Sequence, residues 1–377
     1  MMDVTNSLLK WAANEGVEIA GIRPHSNPGS GFGMVATRNL KVWRNALFPS
    51  QLFRLIQQQE GDVLITVPIR AVRSLETVPE VILGKVPRAM SIHGRLAAHL
   101  VLEPLAESWT RVIPKLSDFE SFPFFWPETA QDLLPAEARL LLHKQQNSFK
   151  RDWEQLKTSF PDVKLKEYTH AWFVVSTRAF YNETPQTILY PWHDRLALLP
   201  VADLFNHAAS GCHVSYSAEG YTITADRDYS KGSEVCTSYG DHSNDFLLAE
   251  YGFMLRNNPT DQLHVDDLIS GTQRTEILKQ RDALGVLGLF CKLGAEGEDI
   301  PSNEERSETT PATVQVLPPA ILENFLEEMK VRRQKITSLN DGDGRCRALL
   351  LERWNQIDEL GQKVIRQITS NDGPIWP

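Results

Sequence analysis

The chain has 377 residues, 42% of them hydrophobic and 23% charged, with 22 Gly and 22 Pro. These shares exclude a collagenous or mostly disordered chain, and the length sets an expectation of two or three domains. Lys and Arg number 39 against 48 Asp and Glu, for a net charge of −9. That balance lacks the basic footprint of a nucleic-acid binder and suits a basic partner instead.

Residues 2–14 have the pattern of a short amphipathic helix. The first twenty residues include acidic side chains and no long apolar run, unlike a signal peptide. Pro24 to Gly31 reads as a loop by composition, and Phe32 to Thr37 as a strand. A helix is expected over Pro49 to Gln59, and a second strand over residues 62–67, ended by Pro68.

From about residue 90 to 182 the period becomes helical. Phe149, Trp153, Leu156 and Phe160 recur at helical spacing, as do Leu165, Tyr168, Trp172, Val175 and Ala179. Residues 198–239 return to strand and loop, with a hairpin signal at Ala218-Glu219-Gly220 between Cys212–Tyr216 and Tyr221–Ala225. A short helix is expected over Asn244 to Glu250, and the chain then turns helical to its end. The exception is an acidic, proline-punctuated loop over 294–320. Two apolar stripes follow it, Leu322/Phe325/Leu326/Met329 and Leu350/Trp354/Ile357/Val364/Ile368. The order β, α, β, α without regular βαβ alternation indicates an α+β fold.

Four cysteines stand at 212, 236, 291 and 346 without a CxxC pair, so neither a usual zinc site nor a disulfide scaffold is expected. No run of about 18 apolar residues occurs, so no membrane span is expected. Cytoplasm or nucleus is the expected compartment.

Three segments carry candidate chemistry. Gly29-Ser30-Gly31-Phe32-Gly33 lacks the third glycine of a dinucleotide fingerprint, because Met34 stands three residues after Gly31 where that glycine or an alanine belongs, and it precedes a strand rather than a helix. It is either a turn or a cradle in which the main chain approaches a ligand closely. Asn206-His207 is read as ending an apolar strand, either as a capped turn or as polar groups placed at a strand end. Tyr239-Gly240 ends a further strand, and Tyr251-Gly252-Phe253 follows twelve residues later. Those tyrosines are either core aromatics with wet hydroxyls or site residues. A Gly-x-Ser-x-Gly elbow is absent, and His207, Cys212, His213 and Cys236 match no usual metal spacing.

Together, Gly31-x-Gly33 before a strand, Asn206-His207, Tyr239 at 33 residues beyond Asn206, and Tyr251-Gly252-Phe253 resemble the SET-domain methyltransferases. The wider likeness is to the branch of the Rubisco large-subunit lysine methyltransferase. Ser176-Thr177-Arg178-Ala179-Phe180 and Pro123-Phe124-Phe125-Trp126 resemble further stretches of that branch. The resemblance covers about 20–370 and is strongest over 170–255. Pro28-Gly29-Ser30 stands where the family usually has an acidic residue and Gly, and Trp43 to Gln59 looks like extra sequence.

The resemblance implies an SET β-fold split by an inserted helical block and followed by an all-α domain. The boundaries are a first half at 20–90, the block at 91–170, a second half at 171–255 and the C-terminal substrate-binding domain at 262–377. It implies an S-adenosylmethionine-dependent protein-lysine N-methyltransferase. A protein-histidine methyltransferase, or a catalytically silent SET fold that binds a peptide or protein, are the alternatives. Gly31, Phe32, Gly33, Arg178, Asn206 and His207 would hold the cofactor, and Tyr239 would be catalytic. Phe180, Asp203 and Tyr251 would meet the substrate, with no metal involved. The implied partner is a protein carrying the acceptor lysine, with no nucleic acid or membrane, and the chain itself is expected to be a monomer.

Overall fold

The structure is a computed structural model, and it describes residues 2–27, 31–43, 60–264, 290–292, 329–339 and 344–369. The expected helix over 49–59 and the acidic loop over 294–320 lie outside the described residues, as do 322–328 of the first apolar stripe. The chain forms two compact units: Met1–Phe119 with Gln146–Asp241, and Glu120–Gln145 with His242–Pro377.

The first unit opens with helix α1 (Met2–Asn14), whose Leu8 and Ala12 are fully buried. Its strands are β1 (Glu18–Ile19), β2 (Ile22–Asn27), β3 (Gly31–Ala36), β4 (Val42–Trp43), β5 (Glu60–Gly61) and β6 (Val63–Pro68). Later in the chain come β7 (Ala179–Tyr181), β8 (Leu196–Leu198), β9 (His207–Ser217), β10 (Gly220–Thr224) and β11 (Glu234–Val235). One antiparallel sheet has the order β1-β6-β10-β9, and a second has the order β11-β3-β2. Strands β4 and β5 pair with each other, and so do β7 and β8. Burial of Leu64, Ile65, Val67 and Ile223 in the first sheet places its core on aliphatic side chains.

The hairpin expected around Glu219-Gly220 forms, with Gly220 opposite Ser217. Pro24 to Asn27, read as loop, is instead part of β2, paired along its length with β3. The composition misleads here because β2 is an edge strand, where a proline removes no ladder bond that the sheet needs.

Helix α2 (Ile92–Leu102) packs against the later helix α4 (Leu165–Arg178), and α3 (Ala136–Ser159) lies between them in sequence. The helical period of the sequence is realised in α4, where Tyr168, Ala171, Trp172 and Val175 are buried.

The second unit contains α5 (Asn244–Tyr251), a helix over 329–337, and α6 (Gly344–Thr369). Its core joins Leu134, Ala138 and Leu142 to Leu248, Ile336, Leu350 and Trp354. Among the described residues the C-terminal region is helical as expected, with one departure from all-α. Strand β12 (Gln262–His264) pairs antiparallel with β13 (Phe290–Lys292), a short ladder that helical periodicity gave no sign of. Among the described residues no helix is long and apolar enough to cross a membrane.

Candidate active site

The site is built where the chain after β11 crosses the start of β9. Strand β11 lies against β3, with Glu234 opposite Val35 and Val235 opposite Met34. The next residues then cross under β9. The Cys212 amide donates to the Cys236 carbonyl at 2.8 Å, and the Thr237 amide donates to the Asn206 carbonyl at 3.0 Å. Thr237 bridges His207 and Cys212 in parallel sense and is buried. Gly211 allows the crossing, since a Cβ there would stand 2.6 Å from the Thr237 carbonyl carbon.

The crossing delivers Tyr239 to a defined place. Its amide donates to His207 Nδ1 at 3.0 Å, and its hydroxyl donates to the Phe205 carbonyl at 2.7 Å. The His207 and Tyr239 rings lie 5.0 Å apart between centroids. An Nδ1 that accepts leaves the imidazole proton on Nε2. Desolvation pushes the Tyr239 phenol up to about 12, partly opposed by the Arg178 charge. The hydroxyl is therefore neutral near pH 7.

Arg178 is the last residue of α4, and its Nη1 donates to the Asp203 carbonyl at 2.5 Å. Its Nε is buried without a hydrogen-bond partner. Asp203 sits in a 3-10 turn, Ala202–Leu204, that packs against β3. Val201 before the turn has φ of 70°, a left-handed conformation that a β-branched residue rarely holds. Such strain costs about 1–3 kcal/mol and persists where the surroundings enforce it. The Asp203 carboxylate is buried and accepts from Trp109 Nε1 at 2.7 Å. Burial pushes its carboxyl up to about 6, opposed by Arg178 and the Trp109 bond.

Asn206 follows this turn rather than ending a strand, and His207 opens β9. The Asn206 side-chain amide donates to Glu234 Oε1 at 2.8 Å. Gly31 begins β3 with φ of 77°, and a Cβ there would meet nothing within 4 Å. Phe32 is half-buried, and Gly33 is buried. Phe180 lies on β7 opposite Ala197, half-buried and two residues beyond Arg178.

Thus the first unit brings Tyr239, His207, Asp203 and Arg178 together, with β3 packed beside the turn that carries Asp203. The Asp203 carboxylate, assigned by resemblance to the substrate, turns inward to Trp109. Tyr251 belongs to the second unit, where it ends α5 beside Phe246 and Phe253 at 6.3 and 6.2 Å. Sequence reasoning missed Trp109, the Phe205 carbonyl, Glu234 and the strained Val201. Only the Leu-Pro-Val run before Asp203 hinted at a sharp turn.

Among the described residues no group of three or more His, Cys, Asp or Glu is placed to hold a metal ion. The Cys212 thiol lies 3.8 Å from the Tyr229 hydroxyl, and burial pushes it up to about 12 and Cys236 up to about 11. Both are thiols near pH 7, poor metal ligands and poor nucleophiles.

No family model matches the chain. Solved structures of the Rubisco LSMT SET domain superpose on it. That bound to lysine and AdoHcy gives a TM-score of 0.55 at 15% identity, covering 98% of this chain and 93% of that one. That bound to AdoMet gives 0.55 at 15%, covering 99% and 97%. The chain has the LSMT SET-domain fold. Among curated proteins, the chain is 31% identical over 162 residues to the ribosomal lysine N-methyltransferase set11 of Schizosaccharomyces pombe, covering 43% of this chain and 42% of that protein. It is 27% identical to the SET domain-containing protein 4 of Mus musculus, over 67% and 58%. It is 22% identical to the actin-histidine N-methyltransferase of Canis lupus familiaris, over 74% and 47%. The chain spans about half the length of the curated relatives it matches.

Proposed function

We propose that the chain is an S-adenosylmethionine-dependent protein N-methyltransferase whose acceptor is lysine. The observation that carries the reading is Tyr239, neutral near pH 7 and fixed by the Phe205 carbonyl and His207. A solved structure of the same fold bound to AdoMet, and a relative named as a ribosomal lysine methyltransferase, support it.

The residues present fit the cofactor. Gly31 leaves open space where a side chain would stand, so the main chain there is accessible to a ligand. Arg178 offers a buried, unpartnered Nε to a carboxylate, a charge-assisted contact. Asn206 and His207, after the turn, would bind the amine and adenine portions. When bound, the cofactor supplies an electrophilic methyl group on a sulfonium.

The chain's own residues then have three tasks. A free lysine amine has a pKa of about 10.4 and must lose its proton before it attacks, which a desolvating site favours. Phe180 would supply an apolar wall for the alkyl chain. The Tyr239 O–H is committed to Phe205, so its oxygen serves as an acceptor toward the reacting centre, and the fixed ring aligns donor and acceptor. Phe180 offers no hydrogen bond to an imidazole, which favours lysine over histidine. The thiols of Cys212 and Cys236 suit a reducing compartment, cytoplasm or nucleus. A monomer acting on a protein substrate, without nucleic acid or membrane, completes the proposal.

Incubation with methyl-labelled S-adenosylmethionine and a cell extract, followed by mass spectrometry, tests it. Methyl-lysine is expected. Methylation confined to histidine overturns the acceptor assignment. A folded chain that binds the cofactor and transfers nothing is a binding module rather than an enzyme.

A further inference from the structure

Residues 182–195 connect β7 to β8 in an unusual way: Asn182, Thr187 and Asp194 are buried, while Ile188, Leu189 and Trp192 are exposed. The Asn182 amide donates to the Arg195 carbonyl at 2.8 Å and closes the base. Thr187 Oγ1 donates to the Asn182 carbonyl at 2.8 Å. The Asp194 carboxylate accepts from the Ile92 and His93 amides, at 2.8 and 3.0 Å, at the start of α2. Arg95 Nη1 donates to the Tyr190 hydroxyl at 2.5 Å. Arg195 donates to the carbonyls of Tyr190 and Ile188 at 3.1 and 3.2 Å, and pairs with Glu183.

Against this rigid frame, Leu189 is 84% exposed, Trp192 68% and Ile188 52%. The surface continues through Arg195, which also reaches the Tyr181 hydroxyl at 3.2 Å, to Tyr216, whose ring meets Tyr181 edge-on at 6.0 Å. A loop that holds a leucine and a tryptophan in water while spending its polar groups on its own scaffold is preorganised for contact. Exposed apolar patches of this kind mark interaction sites, Trp is enriched among residues that dominate binding, and preorganisation lowers the ordering penalty of association.

We propose that this loop docks the protein substrate, with Leu189 and Trp192 taking an apolar side chain of a segment that is otherwise basic. The proposal rests on the methyltransferase reading above. Two observations select this occupant. First, the loop hangs from the strands that lead to the candidate site. Strand β7 begins immediately after Arg178 and carries Phe180, and the chain after β8 runs through Val201 to Asp203. The loop is thus one three-residue strand away from Arg178. Second, the rim holds an exposed carboxylate, Glu76. Arg195 is matched by Glu183, while Glu76 accepts only from the Ser74 and Thr184 hydroxyls among the described residues, at 2.7 and 2.5 Å. Its charge is left to face a basic segment, in keeping with the chain's net charge of −9.

The test compares the parent chain with the L189S/W192S variant. Calorimetry reads S-adenosylmethionine affinity, sedimentation reads the oligomeric state, and initial rates read transfer of labelled methyl to a dilution series of cell extract. Cofactor affinity within twofold, unchanged sedimentation and at least a tenfold loss of rate in dilute extract, narrowing as the extract is concentrated, are expected. Equal rates at every dilution overturn the docking role. A shift from dimer to monomer assigns the patch to a second copy of the chain and also overturns it. A parent chain that binds cofactor and labels nothing removes the methyltransferase reading, and the docking site with it. If the double variant loses cofactor affinity, the single L189S variant is judged by the same criteria.

Discussion

The Tyr239 hydroxyl donates to the main-chain carbonyl of Phe205 across 2.7 Å, joining residues 34 positions apart in sequence. The bond orients the phenol, while the ring packs beside His207. Tyr239→Phe should therefore keep the fold and most cofactor affinity, and lower single-turnover methyl transfer by about 10²–10³, the order seen when a preorganised polar group is removed from other enzymes. Asn206→Ala should instead weaken cofactor binding, because its contacts precede the chemistry. Transfer by Tyr239→Phe at the parent rate with saturating cofactor would disprove the catalytic assignment.

Gly211 lies against the backbone of Thr237, with no room for a methyl group. Gly211→Ala should displace the crossing segment and lower stability by about 1–3 kcal/mol, the usual range for overpacking. Thermal melting reads this directly. A melting temperature equal to the parent's would show that the segment has slack, contrary to the geometry.

Asp203 has a carboxyl raised to about 6 by burial, against about 3.9 in an unfolded chain. Between those values the unfolded chain releases the proton and the folded one retains it, so this group lowers stability as pH rises from about 4 to about 6. Asp203→Asn keeps an oxygen for Trp109 and abolishes the titration. The variant's stability relative to the parent should rise across that window, by on the order of 2–3 kcal/mol. Urea unfolding at pH 4 and pH 7 measures the difference, and a gap independent of pH would refute it.

Arg353 on α6 is fully buried in the second unit and donates to Asp245 and Asp261, each at 2.7 Å. Removing one partner of a buried ion pair leaves an uncompensated charge and costs about 3–5 kcal/mol. Arg353→Leu would leave two carboxylates, so a loss at the upper end is expected in denaturant unfolding. The Arg353→Leu, Asp245→Asn, Asp261→Asn triple variant should recover part of it. A single variant as stable as the parent would contradict the network's role.

Some elements are written plainly in the order of residues. Tyr168, Trp172 and Val175 announce α4 because a helix with one buried face must repeat its apolar residues every three or four positions. The β9–β10 hairpin follows from a turn flanked by strand-forming runs. Strand β2 is not legible in this way: Pro24, Ser26 and Asn27 read as loop, and only an edge position beside β3 makes them a strand.

By itself, the sequence determined the residue types of the site, the order of its segments and the alternation of β and α regions. Local chemistry settles these, since periodicity and turn residues act over a few positions. The tertiary structure decided the rest. It turned the Asp203 carboxylate to Trp109, 94 residues away, and passed Thr237 between His207 and Cys212. It also left Leu189 and Trp192 facing water. Those outcomes depend on which distant surfaces meet and at what register, and an apolar residue in a loop carries no mark of the side it will face until the polar groups around it have found their partners.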